Sequence, residues 1–190
     1  MDHFSLIFCY KAVNKFLKIS FLVIMLAIPL SIFIFLKIFG ENKFDIPIQH
    51  ADGVDEKFGA CEYETGQFLV PDSLLSKGGP SLIFIYNAQG MNANTLSNQY
   101  ERIRHLFKED MPSMRVFTAD SIEVDTVQIT RVSPHTLKQV MNCGFVTDTY
   151  NQYILVDADR RVRGYYNTEL DEVDRLIVEI KILLENGNSG

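Results

Sequence analysis

Residues that carry chemistry are scarce in this sequence. Three cysteines and four histidines are spread over 190 residues, and no two of them stand at the spacing of a metal or dithiol motif. There is no G-x-x-x-x-G-K-[ST] loop, G-x-S-x-G elbow or H-E-x-x-H pair, so the P-loop, α/β-hydrolase and zinc-protease readings fall away. Positive charge is also thin. Beyond residue 40, 14 basic residues face 23 acidic ones, a net of −9. A surface of that sign repels nucleic acid and anionic lipid, which excludes nucleic-acid binding. Arg160, Arg161 and Arg163 stand among acids and read as an exposed turn.

Apolar residues are abundant at one end. From Ile19 to Leu36 the 18 residues "ISFLVIMLAIPLSIFIFL" carry no charge, close to the length that spans a bilayer as a helix. No A-x-A cleavage pattern follows Leu36, as a cleaved signal peptide would require. The expectation is therefore an uncleaved anchor over 19–39, with 1–18 on its other side. Lys11, Lys15 and Lys18 precede the run with only Asp2 opposing them. That excess places the N-terminus in the cytoplasm and the domain outside. Cys9 then lies inside, and only Cys61 and Cys143 share the outer, oxidising compartment, either bridged or as two buried thiols.

Residues 40–60 are polar and weakly periodic and read as a stalk, followed by a domain over 61–185 and a disordered tail over 186–190. Ser81–Tyr86 is an unbroken apolar run, the mark of a strand buried on both faces. Leu96, Tyr100, Ile103 and Phe107 recur at helical steps behind a cap at Asn94. "MRVFTAD" and "VQITRV" read as strands, and "SPHTLKQVMNCG" as a short helix capped by Ser133, with Pro134 at its first position and Gly144 as its stop. "YILVDADRRVRGYY" reads as a hairpin, and Thr168 with Asp171 as the capping box of a last helix. That helix carries an apolar face of Val173, Leu176, Ile177, Ile180, Leu183 and Leu184. This order predicts an α/β protein with a thioredoxin-like mixed sheet flanked by helices, preceded by one transmembrane helix.

The stretch "ILVDADRRVRGYYNTELDEVDRLIVEIKILL" (154–184) resembles the C-terminal third of the SCO/SenC family. These are membrane-anchored thioredoxin-like proteins linked to copper delivery to cytochrome c oxidase. "FGENKFDIP", "VPDS" and "SLIFIYN" fall where that family has its stalk, first strand and site strand. The resemblance implies a bacterial inner-membrane location, a periplasmic domain, and a membrane or envelope protein as partner. It also implies a copper site built from a CxxxC pair at the strand-to-helix turn and a distant histidine. Laid on "FIYNAQGMNANT", those three positions are Gln89, Ala93 and Thr149, none of them a copper ligand of that kind. The family's hairpin glycine is replaced by Arg160, and the segment from Val70 to Ser81 is short for the hairpin the family carries there. The expectation is a degenerate site: no metal, no cofactor, and no catalysis.

Other residues offer less. Met91, Met141 and Asp148 are the substitute copper ligands to weigh, each more simply read as core or surface. His3, His50, His105 and His135 lack partners at metal spacing. Asp120 beside Ser121 has no histidine to complete a nucleophile and base, and Asp157 and Asp159 belong to a turn. Cys61 and Cys143 remain as a thiol-exchange pair in the alternative reading. Glu62 and Glu64 beside the first, and a helix C-terminus at the second, raise rather than lower a thiol's pKa, which favours a structural disulfide.

Overall fold

The computed structural model describes residues 3–39, 45–58, 61, 66–76, 78–124 and 127–187. The chain divides into two units, Met1–Phe44 and Asp45–Gly190.

The first unit is one helix, α1 (His3–Phe39), with Pro29 inside it. Its stretch Lys15–Phe35 is long and apolar enough to cross a membrane and is unburied along its length. Those 21 residues make a rod of about 31 Å, close to the roughly 30 Å of a bilayer's hydrocarbon core. The helix does not start at the apolar run: it continues back to His3, through the segment assigned to the N-terminal flank.

In the second unit, β1 (Ser81–Tyr86), β2 (Ser113–Thr118), β3 (Gln128–Arg131), β4 (Gln152–Val156) and β5 (Val162–Tyr166) form one sheet in the order β3-β2-β1-β4-β5. β1 pairs parallel with β2 and antiparallel with β4; β3 is parallel to β2, and β5 antiparallel to β4. With α2 (Ala93–Phe107) crossing from β1 to β2, α3 (Pro134–Gln139) before β4 and α4 (Leu170–Gly187) after the hairpin, this is the thioredoxin-like arrangement the sequence pattern predicts.

Every residue of β1 is buried, because helices cover both faces of its sheet. Leu82, Phe84 and Tyr86 join Leu96, Tyr100 and Ile103 of α2 and Val173, Leu176 and Ile180 of α4 in one apolar cluster. Ile83 and Ile85 alternate to the other face, with Leu137 of α3, Met141, Phe145, Phe58, Phe68 and Val70. Two caps differ from expectation. Asn92, not Asn94, precedes α2, and its Oδ1 accepts from Asn94 N at 2.9 Å. Ahead of α4 an Asx turn at Asn167 accepts from Glu169 N at 2.8 Å, where the sequence suggested a box on Thr168. Ser133 and Pro134 begin α3 as expected, but the helix then widens into a π turn, Val140–Gly144. α4 runs to Gly187, into the expected tail; 188–190 lie outside the described residues.

The stalk is the larger correction. The compact unit begins at Asp45, not at 61, and 45–58 lie on the domain; 40–44, 59 and 60 are outside the described residues. Ile46 and Phe58 are buried in the two clusters. Gln49 N donates to Val162 O at 2.8 Å, covering the outer edge of β5. Arg163, 6% exposed, pairs with Asp45 at 2.8 Å. The His50 ring meets Tyr165 Oη at 3.0 Å and packs edge-on against Phe68.

Burial pushes the His50 imidazole below its ordinary 6.5, against a smaller upward pull from Asp55. The unfolded chain thus binds more protons than the folded one between the two values. Stability should be full above pH 6.5 and decline as the pH drops through the lowered folded value. In urea titrations across that range, His50→Asn, which tolerates the residue's φ of 56°, should flatten the decline. An unchanged slope in the variant would place the effect elsewhere.

Candidate functional site

The turn between β1 and α2 is the place where thioredoxin-like folds present a nucleophile or ligand pair to backbone N–H groups at a helix N-terminus. Here the N–H groups of Asn87, Ala88 and Gln89 before the helix, and of Asn94 in its first turn, are spent on side chains of the chain itself. Asn87 N donates to Asn151 Oδ1 at 2.9 Å, and Ala88 N to Asp120 Oδ2 at 2.7 Å. Gln89 N donates to Asn87 Oδ1 at 2.8 Å, an Asx turn of the kind asparagine favours. With Asn94 N held by Asn92, four donors around the turn are satisfied internally.

Asn151 holds the arrangement together. It sits in the left-handed region at φ 54°, its N donates to Ile85 O at 2.7 Å, and its amide lies over Gly90. A Cβ at Gly90 would stand 2.6 Å from Asn151 Nδ2, so any other residue there would have to push the Asn151 amide aside. Asp120 is in turn fixed by its own N donating to Thr118 Oγ1 at 2.9 Å. Tyr86 Oη donates to Met91 O at 3.0 Å. Burial and then the Asp120 charge push that phenol up, which keeps the donated proton in place.

The positions named from the sequence are distributed around this turn. Gln89 is exposed at its tip, and Ala93 is the half-buried first residue of α2. Thr149 is exposed in the loop before β4; its N donates to Thr147 Oγ1 at 3.2 Å and its O accepts from Gln152 Nε2 at 3.0 Å. A carboxamide, a methyl and a hydroxyl are not the soft donor set that selects copper, so these residues do not fit the metal. Nor do the substitutes assemble. Met91 packs against the cluster on one face of the sheet and Met141 lies in the cluster on the other, while Asp148 is exposed and paired with Lys57 at 3.6 Å. His105 and His135 are exposed on α2 and α3.

Cys61 and Cys143 form a disulfide, with Cα atoms 5.5 Å apart. Cys143 lies in the π turn, and both cysteines are half-buried. Met141, two residues before Cys143 in the π turn, shares its cluster with Phe58 at the end of the segment 45–58.

The hairpin keeps a local feature of interest. Arg160, standing where the resemblance expects glycine, has φ 66°, so the left-handed turn persists with an arginine in it. Among the described residues between Val70 and Ser81, a single 3-10 turn, Asp72–Leu74, replaces a hairpin. Residues whose role the sequence did not show are Asn87, Asn92 and Asn151, along with Asp120, which reads there as a solvated turn residue. The crowding of asparagines at 87, 92, 94 and 98 was the available signal.

No protein-family model matches the chain, and no curated protein matches it significantly. Solved structures do. An SCO1/SenC family lipoprotein from Bacillus anthracis is 12% identical over 56% of this chain and 82% of its own, with a TM-score of 0.44. BsSco, described as a member of the Sco family of cytochrome c oxidase assembly proteins, is 14% identical over 57% and 82%, with a TM-score of 0.45. Peroxidoxin BcpB from Mycobacterium tuberculosis is 16% identical over 60% and 91%, with a TM-score of 0.44.

Proposed function

We propose that the chain is a membrane-anchored, SCO-like thioredoxin-fold protein whose metal and redox site has degenerated. On this reading it works by protein contact in the assembly of a respiratory oxidase or another envelope complex. The observation that carries the reading is the turn itself. Four of its N–H donors are taken by Asn92, Asn151, Asp120 and Asn87, and the three positions that resemblance makes ligands hold Gln89, Ala93 and Thr149. With the donors of Asn87, Ala88, Gln89 and Asn94 so occupied, the turn offers fewer of them to a thiolate or a bound anion.

The proposed setting is a bacterial inner membrane, crossed once by α1, with the N-terminus cytoplasmic and the domain periplasmic. The lysines before the span support that orientation, and a disulfide in the domain suits an oxidising compartment. Copper is not assigned to the chain. The alternative is thiol–disulfide exchange by Cys61 and Cys143, favoured by the formed, half-buried bridge.

The test is complementation. Cells lacking the chain should assemble less terminal oxidase, read from the haem spectra of their membranes, and both Gln89→Ala and the pair Cys61→Ser with Cys143→Ser should restore the basal level. An unaltered oxidase in the deletion would remove the assembly role. Failure of the double serine chain at normal abundance would hand the function to thiol exchange.

A further inference from the structure

Two backbone outliers and a disulfide meet at one place. The π turn Val140–Gly144, which carries Cys143, is one residue wider per turn than an α-helix, a form found mostly at functional positions. Val146 follows it at φ 52°, a conformation that β-branched residues rarely adopt. Met141 O accepts from both Phe145 N and Thr147 N, at 3.2 and 3.1 Å, so the turn's exit is wound around a single carbonyl.

That exit is wired to the segment 45–58. Tyr165 Oη donates to Phe145 O at 2.7 Å and, its proton being so used, accepts from His50 Nε2 at 3.0 Å. His50 O accepts from Phe68 N at 3.2 Å and from Gly53 N at 3.3 Å. A second link, Lys57 to Asp148 at 3.6 Å, joins the same segment to the same loop. Around the His50 ring stand Asp55 on its own segment and Tyr165 on β5.

We propose that the Cys61–Cys143 bridge, the π turn and the Tyr165–His50 pair form one conformational device, which locks the segment 45–58 to the domain in the oxidised chain and loosens it in the reduced one. The reductant is a protein or small-molecule dithiol. One of its thiolates attacks a bridge sulfur and forms a mixed disulfide, and its second thiol displaces the protein's cysteine. The Cys61–Cys143 bond breaks, two electrons and two protons pass to the two cysteines, and the donor leaves as a disulfide. Freed of the bridge, the π turn relaxes toward α geometry and Val146 leaves the left-handed region. The Phe145 carbonyl moves off Tyr165, and the hydroxyl that held His50 is released. As the segment loosens, water reaches the His50 ring and lifts the burial that holds its pKa down, so reduction eases protonation of His50 and acid favours the reduced form by the same factor.

The experiment uses the full chain in detergent micelles with isotope-labelled histidine, the His50 signal being assigned with His50→Asn. In the oxidised chain His50 should titrate below 6.5. With excess dithiothreitol its midpoint should rise toward that value by at least about 0.3 units, a twofold coupling, and the Gln49 amide should exchange faster with solvent. In Tyr165→Phe the oxidised and reduced midpoints should coincide. The proposal is overturned by a wild-type His50 midpoint and Gln49 exchange rate that ignore reduction; the Gln49 comparison needs no variant. It is also overturned by a redox shift that survives in Tyr165→Phe, or by loss of all buried-methyl dispersion on reduction, since the bridge would then only hold the fold together.

Discussion

Asp157→Ala should lower the stability of the domain by about 3–5 kcal/mol, the range for stripping one partner from a buried ion pair. Asp157 is 6% exposed and closes the hairpin with both oxygens. Oδ1 accepts from Asp159 N and Arg161 N at 2.9 Å each. Oδ2 accepts from Arg161 Nε at 2.8 Å and lies 3.5 Å from Arg163 Nη1. Without the carboxylate, Arg163 keeps, among the described residues, only Asp45, whose side chain is 85% exposed, and its buried Nε has no partner among them. Asp157→Asn, which retains an acceptor for the two turn N–H groups, should lose less. Asp159→Ala, removing a carboxylate 71% exposed, should stay within about 1 kcal/mol. Denaturation followed by circular dichroism would rank the three, and an Asp157→Ala cost no larger than that of Asp159→Ala would refute the buried-pair account.

Loss of the Cys61–Cys143 bridge is the second large effect. Its cysteines are 82 residues apart in sequence, so the bridge restricts the unfolded chain over a long loop. Reduction, or Cys61→Ser with Cys143→Ser, should cost about 2–4 kcal/mol. That is less than the roughly 5–15 kcal/mol that holds an ordinary domain together, so the reduced domain remains folded at 25 °C. The oxidised chain should present no free thiol from this pair to an alkylating reagent unless it is first reduced. Equal denaturation midpoints for the bridged and double-serine chains would show that the bridge does not constrain the unfolded state.

The strands and the two long domain helices were legible because their signals are local. Five consecutive apolar residues, Leu82–Tyr86, admit no exposed face, and the stripe from Leu96 to Ile103 has helical period wherever the chain is read. The segment 45–58 was not legible. The apolar alternation of Phe44, Ile46 and Ile48 is too short to mark an element, Phe58 stands apart from it, and the groups that hold the segment lie more than 100 positions away: Asp45 with Arg163, His50 with Tyr165. No period of 2 or 3.6 announces such contacts. The caps failed by one or two residues for a related reason, since asparagines at 92 and 94 are equally good by type and the backbone chooses between them.

The candidate site divides the same way. What stands at 89, 93 and 149 is plain in the sequence, because a missing sulfur or imidazole needs no geometry to detect. What fills the turn is a tertiary matter. Asn151 reaches Asn87 across 64 positions and Asp120 reaches Ala88 across 32, and Asp120 read alone was a solvated turn residue. The pairing of Cys61 with Cys143 was likewise an open choice until the fold set their separation.

The central claim is that the turn has kept its scaffold and lost its chemistry. It is tested most directly by titrating the full chain in detergent with Cu(I) against a competing chelator. The account predicts no stoichiometric uptake by the natural sequence, and uptake by the variant carrying Gln89→Cys, Ala93→Cys and Thr149→His, whose two thiolates and imidazole form the soft set copper requires. Tight, stoichiometric Cu(I) binding by the unmodified chain would contradict it.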